Sequence, residues 1–202
     1  MIGLEIADIV GIVAFALSGF MVATRDRLDL LGIFIASFLT ALGGGIMRDT
    51  VADRVPFAFS HHLPTILVIL VIIIAILFKF YKKSEIENTK IFVISDSVGL
   101  ISFSITGALV GLMVDFNIFG VVMLALATAV GGGIMRDTLL NRVPVVLTSE
   151  LYGTVSILVG VVIFVLDYLD MINNISLIVV FSAGLTLRLV AYYRRWHLPK
   201  LN

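Results

Sequence analysis

Gly43-Gly44-Gly45-Ile46-Met47-Arg48-Asp49-Thr50 decides the fold, because the same eight residues return 88 positions later as Gly131 to Thr138. Each copy follows an apolar run and ends in an arginine–aspartate pair. A glycine in a helix interior costs about 1 kcal/mol relative to alanine, and a charged pair is unfavourable in apolar surroundings. The duplication of two costly features indicates that both serve the architecture.

The composition predicts an integral membrane protein that forms a single membrane domain over 1–202. Hydrophobic residues make up 60% of the chain and charged residues 14%, with a mean hydropathy of +1.14, whereas soluble domains are about 45–50% apolar and about 25% charged. The net charge is zero and no basic stripe is present, so the lipid bilayer is the expected partner, and neither nucleic acid nor a soluble protein is indicated.

Seven apolar runs have lengths near the roughly 20 residues that a spanning helix needs, which predicts an all-α polytopic fold. The second and fifth are short, because the run from Leu30 to Leu42 before the first triple glycine contains only 13 residues. The chain must therefore continue through the glycines to cross. The predicted spans are 6–23, 30–45, 63–80, 91–114, 118–133, 151–166 and 175–193.

The repeat extends well beyond the octapeptide. Residues 8–56 align with 96–144 without a gap and are identical at 20 of 49 positions. Each unit contains three spans, so the second copy must enter the membrane from the opposite side, as in inverted repeats. We therefore assign the first unit to 5–82, the inverted second unit to 91–169 and an unduplicated seventh helix to 175–195.

The triple glycines have two interpretations. They interrupt or kink the second helix of each unit and turn backbone groups toward a pathway, as discontinuous helices do at corresponding positions of inverted repeats. Alternatively, they let helices pack closely, as small residues often do in membranes. We favour the first, which assigns these residues to a helix kink at a pore: Gly43, Gly44, Gly45, Gly131, Gly132 and Gly133.

Arg48, Asp49, Arg136 and Asp137 are the predicted pore or gate charges. Both arginines are expected to line a polar cavity, although long side chains near a helix end also extend to the headgroups. Because neighbours at i and i+1 point apart on a helix, Asp49 is a poor partner for Arg48. We expect each arginine to bind an acidic or carbonyl group across the pseudo-two-fold axis.

Further polar residues occupy matching positions in the two units. Asp8 and Asp96 are either vestibule acids that attract cations or first-turn carboxylates favoured by the helix dipole. Four hydroxyls are candidate pore groups, although hydroxyls in membrane helices often bond their own backbone. They are Ser18, Thr40, Thr106 and Thr128.

The sequence predicts neither an enzyme nor a structural metal site. It contains no cysteine and no GxSxG, HExxH or phosphate-loop motif. Adjacent His61 and His62 lack further ligands at metal-binding spacing, which favours a solvated loop.

Basic residues predict the orientation, since cytoplasmic loops are enriched in lysine and arginine. An outside N-terminus leaves only Arg48 and Arg54 in the outside segments and places the C-terminus in the cytoplasm. The inside segments then carry Arg25, Arg27, Lys79, Lys82, Lys83, Lys90, Arg136, Arg142, Arg194, Arg195 and Lys200.

Two three-span units with Gly-Gly-Gly-x-x-Arg-Asp in their second helices, followed by a seventh span, resemble the prokaryotic TRIC (trimeric intracellular cation) channels and the bacterial UPF0126 membrane proteins, whose domain is also labelled a glycine transporter. The resemblance covers about 8–190. It implies a homotrimer in the inner membrane, with a pore in each protomer bounded by 30–54 and 118–142. It further implies conduction of monovalent cations, with K⁺ before Na⁺ as the transient pore ion, and no organic cofactor. A bound lipid is compatible with the resemblance, but the lysine motif of the lipid-regulated animal members has no clear copy here.

The alternative function is secondary transport of a small zwitterion such as glycine. Its carboxylate would meet an arginine or a helix N-terminus, and its ammonium group would meet an aspartate. The sequence alone leaves both functions open.

Overall fold

The protein is all-helical over the residues that the computed structural model describes, which are 2–82, 90–148 and 151–196. All seven predicted spans are helices, and two short helices and a 3₁₀ turn were not predicted. The helices are α1 (Ile2–Arg25), α2 (Leu30–Val51), α3 (Phe57–Ser60), α4 (Leu63–Leu77), α5 (Lys90–Met113), α6 (Ile118–Leu139), α7 (Val145–Thr148), α8 (Tyr152–Tyr168) and α9 (Asn174–Arg194), with the 3₁₀ turn at Phe80–Lys82.

The lengths of these helices agree with a multi-pass membrane protein. Within the described ranges, α1, α2, α5, α6 and α9 are long and apolar enough to cross a membrane, whereas α4 and α8 are shorter apolar helices. The central helix is α5, whose residues are almost all buried. The basic residues Lys83 and Lys200, used above to predict orientation, lie outside the described residues, and the orientation stays a prediction.

The boundaries of α2 and α6 follow from equivalent residues of the two units. Asp29 and Asn117 cap the helix starts by accepting hydrogen bonds from the backbone of Gly32 and Gly120, at 2.7 and 2.9 Å. Both helices end just before a residue in the left-handed region, at Asp53 and Asn141. Local sequence therefore starts and stops both helices at matching places.

Reciprocal contacts relate the two units by a pseudo-two-fold axis. A Cβ on Gly11 would lie 2.5 Å from the ring of Phe103, and a Cβ on Gly99 would lie 2.3 Å from the ring of Phe15. The two phenylalanines meet edge to face, with ring centroids 5.3 Å apart. Equivalent residues thus contact each other in both directions where α1 crosses α5.

The triple glycines do not interrupt their helices, so the predicted break is wrong. Both α2 and α6 are uninterrupted helix through the glycines, while the kink and the pore role of these glycines stay predictions. The two helices cross there in backbone contact: a Cβ on Gly44 would lie 2.0 Å from the Thr128 carbonyl oxygen, and a Cβ on Gly132 would lie 2.2 Å from the Thr40 carbonyl oxygen. Close packing is the physical reason for these glycines.

The third glycine of each triplet has different surroundings. A Cβ on Gly133 would meet no atom within 4 Å, and a Cβ on Gly45 would meet only the end of the Arg48 side chain, at 3.9 Å. These two positions face open space beside the helix crossing. Helix packing therefore requires a glycine at Gly44 and Gly132 but not at Gly45 and Gly133.

Candidate functional site: two buried arginine–aspartate half-sites

Two arginine–aspartate pairs lie buried inside the helix bundle. The exposed fractions are 3% for Arg48, 3% for Asp49, 1% for Arg136 and 2% for Asp137. Neither arginine extends to the surface as snorkelling would require. Because a buried charge is costly unless it is paired and hydrogen-bonded, the surrounding partners determine what each pair can do.

Arg48 binds three side chains, which together form the Arg48 half-site. Its Nε donates to Asp49 Oδ1 at 2.9 Å, and its Nη1 donates to Asp8 Oδ1 at 2.7 Å and to Thr106 Oγ1 at 3.0 Å. Asp8 belongs to the first unit and Thr106 to the second. The half-site thus combines one arginine and two carboxylates of the first unit with one hydroxyl of the second unit.

The pairing of adjacent residues corrects the prediction that Asp49 is a poor partner for Arg48. Their Cβ atoms do point apart on the helix, but the arginine side chain is long enough to fold back and present Nε to the carboxylate. The same arrangement recurs at Arg136, whose Nε and Nη2 both lie 2.8 Å from Asp137 Oδ1. Spacing along the helix therefore does not exclude an ion pair when one partner is arginine.

Each aspartate also anchors the short helix that follows. Asp49 Oδ2 accepts a hydrogen bond from the backbone nitrogen of Phe57, and Asp137 Oδ2 accepts one from Val145, both at 3.0 Å. These nitrogens follow Pro56 and Pro144 directly. The carboxylates therefore connect the arginines to α3 and α7.

The Arg136 half-site uses the equivalent residues but connects them differently. Arg136 Nη1 donates to Ser18 Oγ at 3.2 Å, and Ser18 Oγ donates to Asp96 Oδ1 at 3.1 Å. Here a hydroxyl of the first unit bridges the arginine to the acid. The Arg136 half-site therefore consists of Arg136, Asp137, Ser18 and Asp96.

The predicted contacts across the pseudo-two-fold axis exist, but the predicted partner group, an acid or a carbonyl, is wrong. Each arginine reaches the opposite unit through a hydroxyl, Thr106 for Arg48 and Ser18 for Arg136. The acid in each half-site comes from the arginine's own unit. A hydroxyl serves here because it accepts from a guanidinium and still donates to a second acceptor.

Asp8 and Asp96 lie deep in their helices, so the first-turn interpretation is wrong. Each is the seventh residue of its helix and is about 5% exposed. The other two candidate hydroxyls, Thr40 and Thr128, bond to backbone carbonyls one turn earlier, both at 2.6 Å. They pack at the helix crossing and bond locally.

Each half-site borders a cavity, and the two cavities differ greatly in size. The Arg136 cavity has a volume of about 470 Å³ and the Arg48 cavity about 20 Å³. Asp8, Arg48, Asp49, Gly45, Phe57 and Phe103 are among the residues that line the smaller one. The larger one is lined by Val22, Arg25, Phe92, Val93, Asp96, Arg136, Asp137, Arg142, Val143, Val145, Thr148, Arg188 and Tyr192.

Tyr152 and Arg188 belong to this site and were missed by the sequence analysis. The Tyr152 hydroxyl lies near the Asp96 carboxylate and interacts with it electrostatically. The Arg188 guanidinium carbon lies 4.9 Å from the centroid of the Tyr152 ring, and Arg188 is 3% exposed. The repeat gave no signal for either residue, because the position equivalent to Tyr152 is Pro64 and α9 is not duplicated.

An inter-unit ion pair borders the same cavity. Arg142, one of the lining residues, is paired with Asp26, which follows α1. His61 and His62 are exposed, as a solvated loop requires. In the parts of the chain that the structure describes, no three His, Cys, Asp or Glu side chains are grouped as a metal site.

Comparison with known proteins gives one consistent result. The family model described as Glycine transporter matches residues 5–81 and 93–168. UPF0126 membrane protein YvgT of Bacillus subtilis is 34% identical over 96% of this chain and 95% of its own length. UPF0126 inner membrane protein YadS of Escherichia coli is 31% identical over 95% of this chain and 91% of its own.

Solved structures with the same fold are cation channels by description. One, described as giving the structural basis for conductance through TRIC cation channels, has a TM-score of 0.87 at 34% identity and covers 98% of this chain and 97% of its own. A prokaryotic TRIC channel in 0.5 M KCl has a TM-score of 0.86 at 31% identity and covers 96% of this chain and 98% of its own. A TRIC orthologue from Rhodobacter sphaeroides has a TM-score of 0.87 at 27% identity and covers 95% of this chain and 98% of its own.

Proposed function

The chain belongs to the glycine transporter family that includes the UPF0126 membrane proteins, and on that premise we propose that it is a monovalent cation channel with K⁺ as its main permeant ion. The support from comparison is the agreement of fold, over nearly the whole chain, with proteins described as TRIC cation channels. The proteins with this fold are described as channels and not as enzymes.

One observation carries the proposal: two half-sites with buried carboxylates occupy equivalent positions, and one of them borders a cavity of about 470 Å³. Binding sites of inverted-repeat membrane proteins lie at the interface between the repeats. Intramembrane carboxylates that face such a cavity mark ion pathways. Asp96 is the residue that we assign to the cation on this side, and Asp8 its counterpart.

The proposed route runs beside the glycine crossing. Between α2 and α6 there is no space at Gly44 and Thr128, which rules out a passage through the crossing itself. The route instead leads from the Arg136 cavity, past the paired rings of Phe15 and Phe103, to the Arg48 cavity. With the Arg48 cavity almost filled, this arrangement corresponds to a conformation closed at the Arg48 end.

The buried arginines are compatible with a cation route because their charge is compensated. At the Arg48 half-site, one guanidinium lies within 3 Å of two carboxylates, Asp8 and Asp49. The described charges of that half-site sum to about −1 at neutral pH. We assign Arg48 and Arg136 to bracing the carboxylates and, when they move, to gating.

We further propose three copies per assembly, each with its own route, in the inner membrane with the N-terminus outside. Arg25 and Arg142 line the Arg136 cavity, and cytoplasmic segments are enriched in arginine. The Arg136 cavity therefore opens toward the cytoplasm in this orientation. A lipid bound at the apolar helix faces is compatible with this assembly.

A carrier for a small zwitterion such as glycine is the second candidate, and the unequal cavities favour it. Alternating access moves one repeat against the other, so that a midplane site opens to one side at a time. A cavity of about 470 Å³ opposite one of about 20 Å³ corresponds to one such state. Arg136 would bind the carboxylate and Asp96 the ammonium group.

Flux through purified protein in liposomes separates the two functions. Vesicles loaded with KCl and diluted into K⁺-free buffer are predicted to take up ⁸⁶Rb⁺ rapidly. Added glycine is predicted not to inhibit this uptake. Empty vesicles are the control. Saturable uptake of labelled glycine without ⁸⁶Rb⁺ uptake would refute the channel and support the carrier.

A further inference from the structure

The unduplicated helix α9 brings an extra positive charge to one half-site only. Arg188 lines the Arg136 cavity and is 3% exposed. One turn earlier, a Cβ on Gly184 would lie 3.2 to 3.3 Å from Val159 and Ile101, so the glycine lets α9 approach α8 and α5 closely. This close approach brings Arg188 into the bundle, where it lines the same cavity as Asp96.

Arg188 is associated with Asp96 through the cavity that both line and through Tyr152. The guanidinium and the carboxylate line the same cavity, where their opposite charges attract each other. The guanidinium also lies over the Tyr152 ring, at 4.9 Å from its centroid, within the range of a cation–π contact. The hydroxyl of the same tyrosine lies near the Asp96 carboxylate. Residues from α5, α8 and α9 therefore form one connected group at the cavity.

The two half-sites consequently differ in charge. Arg48 meets the carboxylates of Asp8 and Asp49, which gives about −1 for the described residues. The Arg136 cavity is lined by four arginines and two aspartates, so its described lining charges sum to about +2: Arg25, Arg136, Arg142, Arg188, Asp96 and Asp137. Of the four arginines, Arg142 is paired with Asp26. Arg188, which neither repeat supplies, therefore contributes to the charge difference between the two cavities.

We propose that Arg188 is a tethered counter-ion that competes with permeant cations for the Asp96 carboxylate and so determines the cation affinity of the Arg136 cavity. This inference rests on the proposed channel function and adds a specificity-determining residue outside the repeats. A mobile K⁺ ion in this cavity and the Arg188 guanidinium, which lines it, are both attracted to the Asp96 carboxylate. Each therefore weakens the binding of the other.

The test is unitary conductance measured against K⁺ concentration for the wild type, Arg188→Gln and Arg188→Lys. Removal of the charge is predicted to lower the half-saturating K⁺ concentration by about 3- to 10-fold, as expected for the loss of one partly screened charge near the site. The maximum conductance is predicted to stay within about two-fold. Arg188→Lys, which keeps the charge, is predicted to behave like the wild type.

Arg194→Gln is the matched control, because Arg194 lies on the same helix at an exposed position. Its effect on half-saturation is predicted to be less than about two-fold and to vanish at high salt. A half-saturating concentration that Arg188→Gln leaves unchanged, or that Arg188→Lys shifts equally, would overturn the proposal. A wild type that carries no current refutes the channel function itself, which is a different result.

Asp96→Asn/Arg188→Gln completes the test as a double-mutant cycle. Once Asp96 is neutral, removal of Arg188 is predicted to have no further effect on half-saturation, and a full additive shift would contradict competition. Arg188→Met, which keeps much of the side-chain volume, replaces Arg188→Gln if the latter does not assemble. If neither variant assembles, the Asp96→Asn variant decides. Its half-saturating K⁺ concentration is predicted to be higher than that of the wild type, and a value that does not rise refutes the proposal.

Discussion

Gly44 of α2 lies so close to Thr128 of α6 that a Cβ at position 44 would fall 2.0 Å from the Thr128 carbonyl oxygen. Real Cβ contacts are never that short, so the two backbones would have to separate. The reciprocal contact of Gly132 with Thr40 has the same consequence. The crossing of α2 and α6 therefore holds the two repeats in register, and both half-sites flank it.

Gly44→Ala is predicted to destabilise the protein, because the methyl group overpacks the crossing. Overpacking of a tight core costs about 1–3 kcal/mol. Gly133→Ala is the matched control: its Cβ meets no atom within 4 Å, and alanine gains up to about 1 kcal/mol in helix propensity. Thermal unfolding in detergent measures both. A Gly44→Ala variant as stable as Gly133→Ala would contradict the crossing described here.

Asp8→Asn is predicted to lower stability, because Arg48 loses its 2.7 Å bond to a carboxylate inside the protein. Hydrogen bonds to charged groups contribute about 1.5–3 kcal/mol, and a buried pair is screened little by salt. The loss should therefore be the same at low and high ionic strength. Asp53→Asn, at an exposed position, should change the midpoint of unfolding little, and an equal loss in both variants would argue against the buried pair.

Arg136→Lys is predicted to change unitary conductance or open probability while the protein still assembles. Lysine keeps the charge but cannot donate to Asp137 and Ser18 at the same time with the fork geometry of a guanidinium. Single-channel recording measures the effect, and Arg54→Lys, at an exposed position, is the control. Wild-type currents in Arg136→Lys would count against a role of this half-site in conduction.

Phe103→Ala is predicted to increase conductance, because the ring lines the Arg48 cavity and contacts Phe15 edge to face, on the route proposed above. Its loss should also cost about 3–5 kcal/mol of stability. Phe20→Ala separates the two effects, since Phe20 is fully buried but is not among the residues lining either half-site cavity. Both variants should lose stability, and only Phe103→Ala should change the current. A conductance increase of equal size in both would contradict the proposed route.

Much of the fold was predictable from the 88-residue repeat, since identical residues at a fixed offset imply equivalent places in two similar units. Asp8 and Asp96, or Arg48 and Arg136, were recognised in this way as members of one kind of site. The all-helical, multi-pass architecture followed from hydropathy. The short helices α3 and α7 were not predicted, because four residues carry no periodic signal.

Three features could not be predicted for identifiable physical reasons. A glycine is compatible with both a helix break and a close contact between helices. Only the position of Thr128 in the structure shows that Gly44 allows a close contact. The direction of Cβ atoms on a helix describes short side chains, whereas Arg48 is long enough to fold back onto Asp49. Arg188 lies outside the repeat, so nothing in the sequence associated it with Asp96.

The central claim is that the two half-sites border a single cation route through each protomer. Recording from purified protein in planar bilayers with asymmetric KCl tests it most directly. Discrete currents that reverse near the K⁺ equilibrium potential, and that change in amplitude in Asp96→Asn, are the predicted result. Silent bilayers containing correctly assembled protein, or currents that reverse near the Cl⁻ potential, would contradict the account.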